Sequence, residues 1–254
     1  MSDRLPTLFL GHGSPENAIA DNAYTRALNA LAEELPRPKA VLAISAHYMT
    51  EGSALTSAER PRTVHDFYGF PDALYEVQYP APGDPQLAAD VATSLGGALD
   101  GRWGFDHGAW SPMRHIWPEA DVPTVELSID LGMPAREHYE LGRRLAELPD
   151  QGVLVLGSGN IVHNLRAIDW NRPHGGYEWC AAFDSAISER LAARDDAALL
   201  DYDALPGGHE SVPTPDHYLP LLYAAAAAGT DARATTFYEG LEYGSLSMRC
   251  VRFG

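Results

Sequence analysis

Apolar residues fall in two patterns that alternate along this chain. Short, nearly continuous β-rich runs (Thr7-Leu8-Phe9-Leu10, Ala40-Val41-Leu42-Ala43-Ile44, Thr124-Val125-Glu126-Leu127, Val153-Leu154-Val155-Leu156 and Ala234-Thr235-Thr236-Phe237) predict strands. Apolar residues at successive positions, rather than only at alternate ones, belong to a sheet covered on both faces. Between these runs the spacing turns helical. Asp84-Pro85 reads as a cap and first-turn proline, followed by Leu87, Val91 and Leu95 on one stripe. Pro134 opens a second helix with Leu141, Leu145 and Leu148 as its stripe, and residues 177–193 and 218–228 read as two more. This alternation predicts an α/β fold with a mostly parallel central sheet and helices on both faces. No repeat or linker divides residues 1–254, so a single domain is expected. The tail from Tyr243 to Phe253 reads as a last strand or hairpin. The connection from Thr50 to Gly83, rich in aromatics, glycine and proline, has the length of a functional or lid-like loop.

Composition removes several classes of function. The apolar share, 45%, is enough for a substantial core. The formal charge is −17 and Lys39 is the single lysine, so the surface cannot neutralise phosphates and nucleic acid is excluded as a partner. The same charge disfavours polyanionic ligands and anionic membrane surfaces. The longest apolar stretch, Leu219 to Gly229, is mostly alanine and is broken by Pro220, too weak to span a bilayer. The opening residues carry no secretory pattern, and Cys180 and Cys250 form no CxxC pair, so a cytoplasmic protein without disulfides or thiolate metal sites is expected.

Histidines cluster at the ends of the predicted strands. His12 follows the first, His47 the second, and His163 comes soon after Val153–Leu156, in Gly157-Ser158-Gly159-Asn160-Ile161-Val162-His163. His217 stands just past Thr214-Pro215-Asp216, where Thr214 and Pro215 resemble a cap and first residue and would put it in a helix's first turn. In open α/β sheets the loops at the carboxyl ends of the strands gather into one crevice, so these four can meet there. Imidazoles are the obvious metal ligands in a chain without useful thiols. His138 reads instead as a solvated helix residue, His174 as a loop residue and His115 as a helix-face residue, while His65 and His209 show no such placement. His107, in an aromatic loop, fits either packing or a substrate wall. Gly157-Ser158-Gly159-Asn160 lacks the GK[ST] of a phosphate loop, and Ser14 lies outside any GxSxG elbow.

Several segments, in this order, carry a family resemblance. They are Gly11-His12-Gly13-Ser14-Pro15, Ser45-Ala46-His47-Tyr48, His65-Asp66-Phe67-Tyr68-Gly69-Phe70-Pro71, Tyr79-Pro80-Ala81-Pro82-Gly83 and Trp103-Gly104-Phe105-Asp106-His107-Gly108-Ala109-Trp110. Leu127-Ser128-Ile129-Asp130, Gly157-Ser158-Gly159-Asn160 with His163-Asn164-Leu165, and Thr214 to Tyr223 complete the set. Together they resemble the DOPA-dioxygenase type of the class III extradiol ring-cleavage dioxygenases over nearly the whole chain.

The resemblance implies one divalent metal ion, Fe(II) for activity with Zn(II) able to occupy the site, and a catecholic substrate cleaved with O2. It implies His12 and His47 as ligands and His163 as acid/base, with His163 also a fourth-ligand candidate. The third ligand is left between His217, which is favoured, and the carboxylates of Asp216 and Glu210. His107 joins His163 as a candidate catalytic residue, and Ser14 and Tyr48 are expected to contact substrate. Two other readings use the same histidines: a Zn-dependent hydrolase, and a metal-binding scaffold without turnover.

Overall fold

The computed structural model describes residues 4–254. Its strands are β1 (Thr7–Gly11), β2 (Ala40–Met49), β3 (Ala54–Thr56), β4 (Ala98–Asp100), β5 (Thr124–Ile129), β6 (Val153–Gly159), β7 (Ala234–Tyr238), β8 (Leu241–Glu242), β9 (Leu246–Ser247) and β10 (Cys250–Phe253). Its helices are α1 (Ala23–Glu34), α2 (Asp72–Tyr75), α3 (Pro85–Leu95), α4 (His107–Ile116), α5 (Ala135–Arg144), α6 (Glu178–Ala193), α7 (Asp196–Leu200), α8 (Gly208–Ser211) and α9 (Leu219–Ala228). Eight strands form one sheet in the order β4-β3-β5-β2-β6-β1-β10-β7. The central run β5-β2-β6-β1 is parallel, whereas β10 and β7 close one side antiparallel and β3 meets β5 antiparallel on the other. No helix among the described residues is long and apolar enough to cross a membrane.

The continuous apolar strands feed two cores by alternation, as successive strand side chains point to opposite faces. Phe9, Leu42, Ile44, Val125, Val153 and Val155 pack on one side with α3, α5, α6 and α9. Leu8, Leu10, Val41, Ala43, Leu154 and Leu156 pack on the other with α1 and α4. Fully burying side chains of this size is worth ~1.5–3 kcal/mol each, so the pattern that makes the strands also fixes their two-sided cover. The α3 start is as expected: Asp84 accepts from the Leu87 N–H at 3.0 Å, and Gly96 ends the helix in the left-handed region.

Three local expectations need correction. The second strand runs on to Met49, so His47 lies inside β2 rather than after it; pairing with β6 as far as Ser45–Ser158, and a return to β5 at Met49–Ile129 past a bulge, extend the ladder. The helix after Thr214-Pro215 begins at Leu219, leaving His217 in the preceding turn. Pro220 has no N–H to give and fits only a helix's first turn, which fixes that start. His138 is buried, not solvated: its Nδ1 meets the Tyr223 hydroxyl at 2.9 Å and its Nε2 the Asp130 carbonyl at 3.1 Å. The inward face of α5 is accordingly His138, Tyr139 and Gly142, continued by Leu145, with Leu141 and Leu148 only partly covered.

Every position of α9 is buried. Its alanines suit a helix laid directly across β6, and glycines in that strand allow the approach. A Cβ at Gly157 would lie 2.2 Å from the Pro220 carbonyl oxygen, and one at Gly159 would lie 2.1 Å from that of His217. The Gly-Ser-Gly-Asn segment therefore serves helix–sheet contact, not phosphate binding.

Candidate active site

Because β6 lies between β1 and β2, the carboxyl ends of all three strands are neighbours. His12 leaves the end of β1 with its N–H still donating to the Gly159 carbonyl at 3.0 Å, continuing the β1–β6 ladder. His47 projects from the last turns of β2. His217 is held by its own carbonyl, which accepts from the Asn160 N–H at 2.9 Å just beyond β6. One ring nitrogen from each of His12, His47 and His217 lies within 4.8 Å of the others.

Each ring has an acceptor beside Nδ1, hydrogen-bonded in His12 and His217 and in looser contact in His47. Ser158 Oγ donates to the Gly108 carbonyl, so toward His12 Nδ1, 2.9 Å away, it must accept. Nδ1 of His47 faces Asp66 Oδ2 at 3.3 Å, and Nδ1 of His217 donates to Asp216 Oδ2. With the proton on Nδ1, Nε2 keeps its lone pair in all three rings. The Nε2 atoms of His12 and His47 are 3.2 Å apart. Two bare nitrogens repel at that distance, but it suits two ligands each ~2.0–2.1 Å from one ion. Partnered Nδ1 and free Nε2 is also the usual arrangement of metal-bound histidine. The donor set therefore fits a divalent metal.

Electrostatics agrees. Burial, then the neighbouring imidazoles, hold His12 and His217 well below the usual histidine range. Burial is likewise the main cause that brings His47 to about 3. All three are neutral at pH 7, as ligands must be. Burial would raise Asp66, but opposing causes, led by the hydrogen bond from the His107 side chain and including one from its backbone N–H, outweigh it and bring Asp66 to about 2. Asp66 thus stays ionised, bridging His47 and His107, whose Nδ1 lies 2.8 Å from its Oδ2.

His163 lies against His217, ring centroids 3.4 Å apart and planes within 6°. Burial lowers it to about 4, against an opposing pull from Asp216. These histidines, with His107, open on a cavity of about 380 Å³ whose walls include Ser14, Phe67, Phe70, Leu165, Ile168 and Leu246. Phe67 and Phe70 come from the long connection after β2, which thus supplies one wall.

Among the expected site residues, His12, His47, His107, His163, His217 and Ser14 meet at this cavity. Tyr48 does not. It follows His47 on a strand and so points the other way, stacking on Trp103 at 5.1 Å and donating to Asp100 at 3.1 Å. Glu210 is exposed on the short α8, its backbone carbonyl accepting from Asn164 at 2.7 Å, and its carboxylate joins no group of candidate ligands. Asp216 is near enough to coordinate, in a group with His163 and His217, but its Oδ2 is occupied by the His217 ring. Sequence reasoning missed the orienting acceptors Asp66 and Ser158. Both lie in segments that carried the family resemblance, and an acidic or hydroxyl residue near a candidate ligand was the available signal. It also missed Glu126 and Asp106, buried behind the site, where Asp106 accepts from Ser45 at 2.6 Å and burial raises both carboxyls.

Gly159→Ala is expected to lower metal occupancy without unfolding the chain. The added Cβ would press on the His217 carbonyl and must push that turn outward, at a strain of ~1–3 kcal/mol. Metal content after gel filtration, beside a thermal melt, checks this; full occupancy with an unchanged melt would show that the turn has slack.

Residues 6–250 match the family described as the catalytic LigB subunit of aromatic ring-opening dioxygenase. The chain is 45% identical to the 4,5-DOPA dioxygenase extradiol of Escherichia coli K12, over 100% of this chain and 96% of that protein. It is 35% identical to the protein of the same name from Beta vulgaris, over 97% and 96% of the two chains. The crystal structure of an uncharacterized protein of E. coli K12 superposes with a TM-score of 0.87 at 41% identity, covering 99% of this chain and 100% of that one. With a match that runs almost from end to end and takes in every histidine at the cavity, the chain belongs to the LigB family of aromatic ring-opening dioxygenases, oxidoreductases that work with a non-haem metal.

Proposed function

We propose that the chain, as a single catalytic domain, is an Fe(II)-dependent extradiol dioxygenase that opens the ring of DOPA or a related catechol. The observation that carries this reading is the convergence of three imidazoles, two with Nδ1 hydrogen-bonded to an acceptor and the third with Nδ1 facing Asp66, on the floor of a cavity walled by apolar side chains. His12, His47 and His217 would hold the metal on one face, leaving the cavity side open to substrate and O2. When bound, Fe(II) lowers the pKa of a catechol hydroxyl and relays electrons between ring and O2, which redox-inert Zn(II) cannot do. In the net reaction one ring C–C bond beside a hydroxyl breaks, both oxygen atoms enter the product and no external reductant is consumed.

The remaining side chains handle protons and position. His163, neutral because burial holds it near 4, can accept a catechol proton and return it to oxygen later in the turnover. His107, its Nδ1 fixed on Asp66, has Nε2 free for a second proton or hydrogen bond at the cavity. The Ser14 hydroxyl at the rim offers a contact to substrate. Phe67, Phe70 and Leu246 flank the ring and displace water, which strengthens each polar contact inside.

Metal-free chain reconstituted anaerobically with Fe(II) or Zn(II), then given O2 with DOPA, catechol, caffeate or protocatechuate, tests this. The Fe(II) form is expected to take up one O2 per catechol consumed, with a yellow semialdehyde product, and the Zn(II) form none. Equal turnover with both metals, or Zn-dependent hydrolysis without O2 uptake, would overturn the reading.

A further inference from the structure

The rim of the cavity offers a different chemistry from its histidine floor. Glu16, Trp170 and Tyr243 line it, and among the described residues neither arginine nor lysine does. Glu16 is put there by local geometry: Ser14 and Pro15 open a single 3-10 turn, Pro15–Ala18, with Glu16 exposed in its first residues. Trp170 is 73% exposed, and its ring lies 5.2 Å from that of Tyr243 at a 57° tilt. A tryptophan left that open gains little from burial, so its surface is available to a ligand. Burial raises the Tyr243 phenol, and the charges of Glu242 and Glu16 raise it further, so the Glu16 carboxylate acts on that ring.

We propose that this rim selects catechols whose side chain ends in a protonated amine, the ammonium resting between the Glu16 carboxylate and the faces of Trp170 and Tyr243. This rests on the ring-opening reading of the histidine floor and names the substrate class it serves. A carboxylate and an aromatic pair are complementary to an ammonium, by charge and by cation–π attraction. A substrate ending in a carboxylate meets Glu16 as a like charge, finds no cation in the lining, and approaches a chain of formal charge −17. Arg166 stands on the turn that carries Leu165 but does not line the cavity. DOPA itself, with both groups, falls between the two extremes. An exposed ion pair with an exposed cation–π contact is worth about tenfold in affinity.

The test compares three catechols of one shape and different tail charge on the Fe(II)-loaded full chain: dopamine, 4-ethylcatechol and 3,4-dihydroxyphenylpropionate. Dopamine is expected to exceed 4-ethylcatechol about tenfold in kcat/KM, with the acid below both. Glu16→Gln should bring the dopamine to 4-ethylcatechol ratio close to one, and 1 M salt should shrink it in the parent chain. The same order of Kd is expected by calorimetry on the Zn(II)-loaded chain, where nothing turns over. A ratio at or below one, or a ratio that Glu16→Gln leaves alone, overturns the proposal. So does a preference for the acid that disappears in Arg166→Gln. If the Kd order holds but no catechol is opened with any metal, the ring-opening reading fails and the amine site stands. If catechols are opened without regard to tail charge, the reverse is true.

Discussion

His217→Ala is expected to lose its metal and all ring-opening turnover while remaining folded, whereas Asp216→Asn keeps the metal at lower affinity. The two residues are adjacent, and both are chemically able to coordinate. What separates them is the hydrogen bond between them. His217 Nδ1 donates to Asp216 Oδ2, so the imidazole presents Nε2 to His12 and His47 while the carboxylate is spent on orienting it. Removing one of three ligands leaves an open, weakly held ion. Asparagine at Asp216 can still accept at its Oδ1 but carries no charge, and loss of such an orienting partner typically costs ~10–100-fold in affinity. Folding should survive both changes because Tyr218 and Leu219, which tie this turn to the core, and the His217 carbonyl that accepts from Asn160 are untouched by either substitution. Elemental analysis of gel-filtered protein, with Kd by metal competition and a thermal melt, reads the outcome. Metal retained in His217→Ala and lost in Asp216→Asn would restore a two-histidine, one-carboxylate site and overturn the assignment.

The parts of this centre that were legible in the sequence are those fixed by local pattern. An apolar run followed directly or within a few residues by histidine reads as a parallel strand and its carboxyl end, and His12 and His163 lie just beyond the ends of β1 and β6. What was illegible depends on partners from distant segments. His138 sits on a helix of strongly charged neighbours, and its burial is explained only by the Tyr223 hydroxyl and the Asp130 carbonyl. Tyr48 was misjudged because His47 continues a strand; one residue along such a strand is the opposite face. Asp66 reaches His47 and His107 across a connection with too little periodicity to place any side chain. The start of α9 was displaced because Thr214-Pro215 reads as a cap, while Pro220 sets the actual first turn. Local propensity found the long strands, whereas the true end of β2, the short edge strands β3 and β4, and the orienting contacts needed the packed chain.

His163→Ala should still bind Fe(II) and catechol but turn over ~10²–10⁴-fold more slowly, the usual loss for a general acid/base. The ring lies flat against His217, so a purely structural role must be weighed against the catalytic one. An aromatic contact of that kind is worth ~0.5–1.5 kcal/mol, which would appear as a modest fall in stability and at most about a tenfold change in rate. A hundredfold or greater loss with normal metal content cannot come from stacking alone. The imidazole is also well placed by charge. Burial keeps it neutral, and the adjacent Asp216 carboxylate favours the imidazolium that forms when it takes a proton. The log of kcat/KM against pH should therefore lose its acidic limb in His163→Ala, a change that lost packing would not produce. His163→Gln, which restores bulk and a hydrogen-bonding group but cannot titrate, should stay as slow as the alanine variant. Iron lost together with activity would instead make His163 a fourth ligand, consistent with its place beside His217 and Asp216. Turnover within tenfold of the parent chain would leave proton transfer to His107 or to water.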